Sequence, residues 1–285
     1  MNIDIEKIRK EKPIKELLEF SIINIDKPTG PTSFSVSQFV KKSLNLRKTS
    51  HLGTLDPMVS GVLPVATNRA CRLNDYLMHR DKTYVGIMRL HEDVTDKNLN
   101  EEIAKFTGKI MQLPPVRSRV KRAFREREIK KFEILERDGK DVLFIAEVQA
   151  GTYIRKLCDD IGKNIGGAHM LELRRIKAGL FEEKNLVNLY DFELAVEEYK
   201  KGNEQKLRDI LIPGEIVSEV LQVVQLNPQS LKQTLTGKPL FEKDVIEKPD
   251  NLESPFALFL GDRFIGCYKI TNEKDIFARP EFILN

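Results

Sequence analysis

Apolar residues in this chain recur at two different periods, in no regular order, and that pattern restricts its fold most. "SIINID", Ser21 to Asp26, is a compact apolar run suited to a buried strand. "KPTGPTSFS" follows, a Pro/Gly turn in which Thr32 or Ser33 is placed to cap a helix. That helix would carry Val36, Phe39, Val40 and Leu44 on one face. "KTYVGIMRL" (82–90) and "VLFIAEVQA" (142–150) read as strands. "TYIRKLCDDIG" starts a helix just after Gly151, with Ile154, Leu157, Cys158 and Ile161 at helical spacing. Residues 182–212 are charged and rich in Glu and Lys, which predicts helix, and Pro213-Gly214 marks a boundary. Beyond about residue 216, short apolar runs such as "ALFLGDRFIGCYKI" alternate with turn residues, the pattern of a small β-rich module. Strands and helices mixed without strict alternation predict an α+β fold rather than a doubly wound sheet. The expected organisation is a charged extension over 1–20, a main domain over 21–212 and a short β-rich domain over 216–285.

A length of 285 residues, 41% of them hydrophobic, supports one large domain or two unequal ones. Three scattered cysteines (Cys71, Cys158, Cys267) and four dispersed histidines (His51, His79, His91, His169) have no metal-type spacing. A disulfide framework and a zinc site are therefore not expected, and a reducing compartment is. The N-terminal stretch is heavily charged and lacks a signal peptide's apolar core. No run approaches the roughly 20 apolar residues that span a bilayer. The chain is expected to be soluble and cytoplasmic, with no membrane partner. Neither G-x-x-x-x-G-K-[ST] nor G-x-G-x-x-G occurs, so nucleotide-driven chemistry has no support.

The net charge is only +4, but it is concentrated. "RSRVKRAFREREIKK", Arg117 to Lys131, holds eight basic residues against two acids. A solvated charged face is the plain alternative. Arg117, Arg119 and Lys121 alternate, and Arg122, Arg125 and Arg127 follow. On an extended backbone, alternate residues share a face and can track phosphates. Concentrated basic charge is how a nucleic-acid footprint looks.

"HLGTLDPMVSGVLPV", His51 to Val65, contains a single acid, Asp56. Asp-Pro begins turns, which is the plain reading. Two features oppose it. Gly53 and Gly61 flank the acid and permit close approach of a substrate. Leu55, Met58, Val59, Val62 and Leu63 offer an apolar wall, and a carboxylate there needs a cation to stay ionised.

These segments resemble a known set of motifs. "HLGTLDPMVSGVLPV" is similar to the signature of the pseudouridine synthase family that includes the bacterial tRNA uridine-55 enzyme and the dyskerin-type H/ACA enzymes, the TruB family. "KPTGPTS" (27–33) resembles its first motif, "KTYVGIMRLH" (82–91) its tyrosine strand, "GTYIRKLCDDIG" (151–162) its arginine motif and "HMLELRR" (169–175) its late leucine-arginine motif. The likeness covers roughly residues 21–181, with the motifs in order. It implies that Asp56 is the catalytic aspartate, that Tyr84 stacks on the target uracil and that Arg155 pairs with Asp56. It implies that Tyr153 and Leu173 line the uridine pocket, and that His51 touches RNA near the flipped base. Lys27 matches the first-motif lysine, grouped with the RNA-binding residues and given a supporting role. Each has a plain alternative: Tyr84 an ordinary half-buried aromatic, Leu173 simple core, Arg155 a surface partner of Asp159, worth only ~0.3–0.5 kcal/mol. The late motif departs from the family's R-T-x-x-G-P-F, with Ile176 and Leu180 in "RRIKAGLF".

"PPVRSRVKR" (114–122) resembles the archaeal and eukaryotic dyskerin branch. The resemblance therefore implies an RNA-guided enzyme acting on rRNA or tRNA within an H/ACA ribonucleoprotein. Its partners would be a guide RNA, small H/ACA accessory proteins and a ribosomal-protein-like kink-turn binder. A standalone tRNA uridine-55 synthase is the alternative, and a non-catalytic RNA-binding scaffold a third. Residues 216–285 sit where this branch carries a PUA domain that grips the guide, but the segment is short for that fold. The isomerisation adds and removes nothing, so no cofactor or metal is expected.

Overall fold

Runs with strand periodicity assemble into two sheets, and runs with helical periodicity cover their faces. The computed structural model describes residues 2–114 and 121–285. The larger sheet contains β1 (Ser21–Lys27), β2 (Thr49–His51), β3 (Val59–Thr67), β4 (Lys82–Leu90), β5 (Gly108–Gln112), β6 (Arg125–Asp138), β7 (Asp141–Val148), β8 (Ala168–Ala178), β9 (Phe181–Glu182) and β10 (Ile212–Pro213). Their order is β10-β1-β3-β8-β4-β7-β6-β5, with β2 on β3 and β9 on β8. Among the described residues every pairing in this sheet is antiparallel except β3 with β8. The fold is α+β, with a mixed, largely antiparallel sheet.

β1 reads as a continuous apolar run because both of its faces are buried. Ile23 and Ile25 face one apolar cluster and Ile22 faces another. β3 divides in the same way: Val59, Leu63 and Val65 enter the first cluster, Val62 and Ala66 the second. The expected apolar wall behind Asp56 is corrected accordingly. Period-2 alternation turns Val62 to the opposite face from Val59 and Leu63, and Met58, in the turn before β3, is 53% exposed.

Thr32 caps the helix Ser33–Ser43, its hydroxyl accepting from the Ser35 amide at 3.0 Å. Val36 and Val40 are buried beneath that helix, with Phe39 and Leu44 packed beside them. Gly151, at φ +83°, makes the left-handed turn that ends the β7 segment, and the helix Ile154–Gly162 follows. Its Ile154, Leu157, Cys158 and Ile161 are buried, as their spacing predicts. The charged region yields the helices Leu189–Lys200 and Gln205–Ile210.

The second sheet holds β11 (Val223–Leu226), β12 (Val245–Glu247), β13 (Phe256–Leu260), β14 (Arg263–Ile270) and β15 (Ala278–Ile283), in the order β12-β11-β13-β14-β15. It is fastened to the first sheet by the second cluster. Ile3 and Ile8 of the N-terminal helical segment pack there with Phe259, Phe264 and Phe282. Phe20 lies at the centre, 1% exposed, its ring stacked 5.2 Å from Phe264. The Lys12 ammonium meets the buried Glu215 carboxylate at 2.6 Å on the same side. No helix among the described residues is long and apolar enough to cross a membrane.

Because one apolar cluster joins both sheets, Phe20→Ala should weaken them together. The expected loss is ~3–5 kcal/mol in urea unfolding, in one transition. Separate transitions for the two sheets would show that the shared cluster does not couple them.

Candidate active site

The parallel pairing of β3 and β8 sets out the site. Val59 lies opposite Leu173, and Gly61 opposite Arg175. On the other side of β8, β4 places Gly86 opposite Leu173 and Tyr84 opposite Arg175. The turn that carries Asp56 leads directly into β3, so the acid is delivered to the end of this three-strand arrangement. The backbone does form an Asp-Pro turn, with the Val59 amide donating to the Asp56 carbonyl at 3.0 Å. The Asp56 side chain, however, takes the guanidinium of Arg155 as its partner. Asp159, the alternative partner, receives Lys156 at 3.2 Å instead.

Both side chains of the Asp56–Arg155 pair are about half exposed, at 45% and 52%. An ion pair this open contributes at most about 1 kcal/mol to stability. Its carboxylate faces a cation and is still open to a ligand. Tyr84 is 9% exposed and Leu173 is 7%, so both rise from the first apolar cluster. Leu173 lies over Gly86, where an added Cβ would come within 2.8 Å of the leucine side chain. Tyr153 is half-buried at the start of the arginine helix. His51 ends β2, its Nε2 3.2 Å from the Thr54 hydroxyl. Burial lowers its pKa, and the Arg175 charge lowers it further.

Lys27 requires a correction. It is fully buried, and its ammonium donates to the carbonyls of Pro28 at 2.8 Å, Pro57 at 3.2 Å and Val59 at 2.8 Å. An ammonium held in this way has no surface to offer RNA. It binds the turn immediately after Asp56 to the end of β1. Lys121 and Arg122 are exposed, whereas Arg117 and Arg119 lie outside the described residues. Further along, Arg125 and Arg127 share the inner face of β6 with Ile129, while Glu126 and Glu128 point outward. The Arg127 guanidinium packs against Gly151.

Several residues that build the site are visible only in three dimensions. Ser33 turns inward from the helix start: its hydroxyl donates to the Leu55 carbonyl at 3.0 Å and accepts from the Leu55 amide at 2.8 Å. Gln112, 3% exposed at the end of β5, grips the Tyr153 backbone on both sides, at 3.1 and 2.8 Å. Arg175 is 1% exposed and donates to the carbonyls of Val62 at 2.8 Å and Gly53 at 3.0 Å. Lys82, 6% exposed, donates to the carbonyls of Met78 at 2.5 Å and Arg80. Burial, with help from Arg175 and against Asp81, pushes its pKa down to about 8.

Residues 41–154 match the N-terminal domain of the TruB family of pseudouridylate synthases, and residues 155–218 the C-terminal domain of tRNA pseudouridylate synthase B. This chain belongs to the TruB family of pseudouridine synthases. It is 44% identical over 237 residues to a "Probable tRNA pseudouridine synthase B" of Methanocaldococcus jannaschii, covering 82% of this chain and 70% of that one. A Methanopyrus kandleri protein of the same name is 43% identical over 276 residues, covering 94% and 82%. Among solved structures, a Cbf5-Nop10-Gar1 complex matches with TM-score 0.87 and 36% identity, over 96% of this chain and 88% of that one. An H/ACA RNP bound to a substrate RNA containing 2'-deoxyuridine matches with TM-score 0.86 and 34% identity, over 97% and 89%. The TruB-family enzyme is thus similar in sequence to proteins named for tRNA and in structure to proteins of H/ACA complexes.

Lys82 gives a signed prediction. Its folded pKa is depressed below the ordinary lysine value of 10.5, so between pH 8 and 10.5 the unfolded chain binds more protons. Stability relative to Lys82→Met should therefore rise as the pH increases through that window. Urea unfolding of both proteins at pH 7, 8, 9 and 10 measures the difference; a flat or falling difference would show that Lys82 stays charged.

Proposed function

We propose that this synthase is the catalytic subunit of an archaeal-type H/ACA guide ribonucleoprotein, converting uridine to pseudouridine with Asp56 as its catalytic carboxylate. The observation that carries the site reading is the Asp56–Arg155 ion pair. It is half open to solvent, it adds little stability, and it lies where β3, β8 and β4 converge. The reaction breaks the N1–C1′ bond of uridine, turns the base and joins C5 to C1′; the C5 proton is then lost and N1 takes one up, so the composition is unchanged. The target nucleotide must first leave its stack, at a cost of a few kcal/mol, least for unpaired RNA. Tyr84 then holds the uracil by its π face, and Tyr153 and Leu173 close the pocket. Cleavage develops positive charge on the sugar, which the Asp56 carboxylate stabilises as in glycoside hydrolysis. Asp56 acts either by attack on the sugar or by removing a proton to give a glycal. Arg155 keeps it charged and aimed, and His51 meets RNA beside the flipped base.

The guide-dependent reading rests on likeness to the Cbf5-Nop10-Gar1 complex and the substrate-bound H/ACA RNP, over nearly the whole chain. That likeness supports RNA and small accessory proteins as partners; a guide RNA and a kink-turn binder are proposed from the motif resemblance. The second sheet, with the N-terminal segment packed on it, serves as a PUA-like domain that grips the guide. Three buried, free cysteines suit a reducing cytoplasm. The names of the curated relatives favour a second reading, a standalone synthase acting on tRNA uridine 55. The two separate in a pseudouridine assay of the purified chain on a tRNA transcript, compared with the same chain plus guide RNA and accessory proteins. Guide dependence predicts turnover only in the second case; full turnover by the chain alone supports the standalone enzyme.

Asp56→Asn should abolish turnover and leave RNA affinity within a few-fold; appreciable residual turnover would remove Asp56 from the mechanism. Neutralising Lys121 and Arg122 together with Arg119 should weaken RNA binding and flatten its dependence on salt. An unchanged salt slope, measured by titration at several ionic strengths, would mean that these cations face away from the phosphates.

A further inference from the structure

Two exposed large apolar side chains stand on segments whose backbone is bonded to the Asp56 turn or belongs to it, and they take no part in the pocket described above. Phe34 is 64% exposed and Met58 is 53% exposed. Isolated exposed apolar residues are ordinary on a protein surface. Phe34 stands in the first turn of the helix Ser33–Ser43 and Met58 in the turn before β3, and the segments that carry them are tied to each other. The Gly30 amide donates to the Pro57 carbonyl at 2.8 Å. Lys27 holds both the Pro57 and the Val59 carbonyls. Ser33, the neighbour of Phe34, bonds the Leu55 backbone in both directions, next to Asp56. Met58 is two residues beyond Asp56 in the same turn. The backbone beneath both side chains is thus anchored from below, while the side chains face solvent. An RNA strand that delivers one uridine to Asp56 brings its neighbouring nucleotides to the segments around that turn. Those neighbours are also unstacked when the target leaves the strand, and they expose π faces to an apolar or aromatic surface.

We propose that Phe34 and Met58 form an apolar rim on which a nucleobase adjacent to the target uridine rests, with Phe34 as the stacking surface. The inference depends on the reading of Asp56 as the centre of the site. It assigns Phe34 to substrate positioning, with no role in the chemical step. Stacking is tolerant of base identity, so the contact would hold the strand without adding sequence preference.

The test uses whichever preparation turns over uridine, the chain alone or the chain reconstituted with guide and accessory proteins. The substrate RNA carries 2-aminopurine next to the target uridine. Phe34→Ala should raise KM roughly five- to hundredfold while kcat holds, and should reduce the 2-aminopurine quenching seen on binding. Phe34→Tyr should restore both. Tyr190→Ala, which removes a 75% exposed aromatic from the helix Leu189–Lys200, should change neither. An unchanged KM and unchanged quenching in Phe34→Ala overturn the proposal, as does a loss that tyrosine fails to rescue. Quenching is read without turnover, so it is also measured in Asp56→Asn. Turnover surviving in that variant defeats the site reading itself, separately from the fate of the rim.

Discussion

The guanidinium of Arg175 is the charge on which the arrangement of the site depends. It lies 1% exposed within the sheet and is held by the carbonyls of Val62 and Gly53. Burying an unpaired cation costs several kcal/mol, so the carbonyls around it have little freedom to move away. Those carbonyls belong to β3 and to the turn before it, on either side of Asp56. The backbone must also approach closely. Gly61, at φ +101°, sits where a Cβ would be 2.2 Å from the Arg175 carbonyl. The same charge reaches its neighbours, lowering the pKa values of Lys27, His51 and Lys82 in addition to the effect of burial.

Lys27 and Arg175 therefore act as buried cationic pins, and the contrast with Arg155 is informative. The first two are enclosed and bonded to the backbone, where they fix the path of the chain. Arg155 is half exposed and bonded to a side chain, where it supplies little stability. Cations with similar chemistry thus divide, by burial, into those that pin the backbone and one that stays open on the surface. Lys27 holds the Asp56 turn from β1, Ser33 holds it from the helix start, and Arg175 holds it from β8. Gln112 does the same for the opposite partner by fixing the Tyr153 backbone at the head of the arginine helix. Each member of the ion pair is therefore presented on backbone held by side-chain hydrogen bonds from neighbouring elements.

The local elements were readable because their apolar periods are clean. The run at Ser21–Asp26 and the spacing Ile154, Leu157, Cys158, Ile161 each dictate one structure. The partner of Asp56 was readable as a requirement, a cation needed beside an acid, and the motif resemblance named Arg155. Other features depend on pairings that no local pattern encodes. The division of Val59 and Val62 between two cores follows from the second sheet packing behind β1 and β3. The motif resemblance gave Lys27 a supporting role, but which carbonyls it holds follows only from the fold of the 57–59 turn over it. Gln112 and Arg175 act across strands whose register is set by the whole sheet.

Among the described residues, the one parallel pairing between strands of the larger sheet explains why these features meet at one place. A parallel neighbour cannot be reached by a hairpin, so the chain between β3 and β8 makes a long excursion. That excursion contains β4, which returns to pair with β8 and brings Tyr84 opposite Arg175. It also contains the helix Ile154–Gly162, which leads into β8 and carries Arg155 back to Asp56. A parallel crossover thus gathers acid, cation, aromatic and leucine from four separate segments. Each segment is packed into the core on its own terms, and only their outer ends meet at the opening. On the proposed reading, this geometry leaves the ion pair open to a flipped nucleotide while buried hydrogen bonds hold the backbone beneath it.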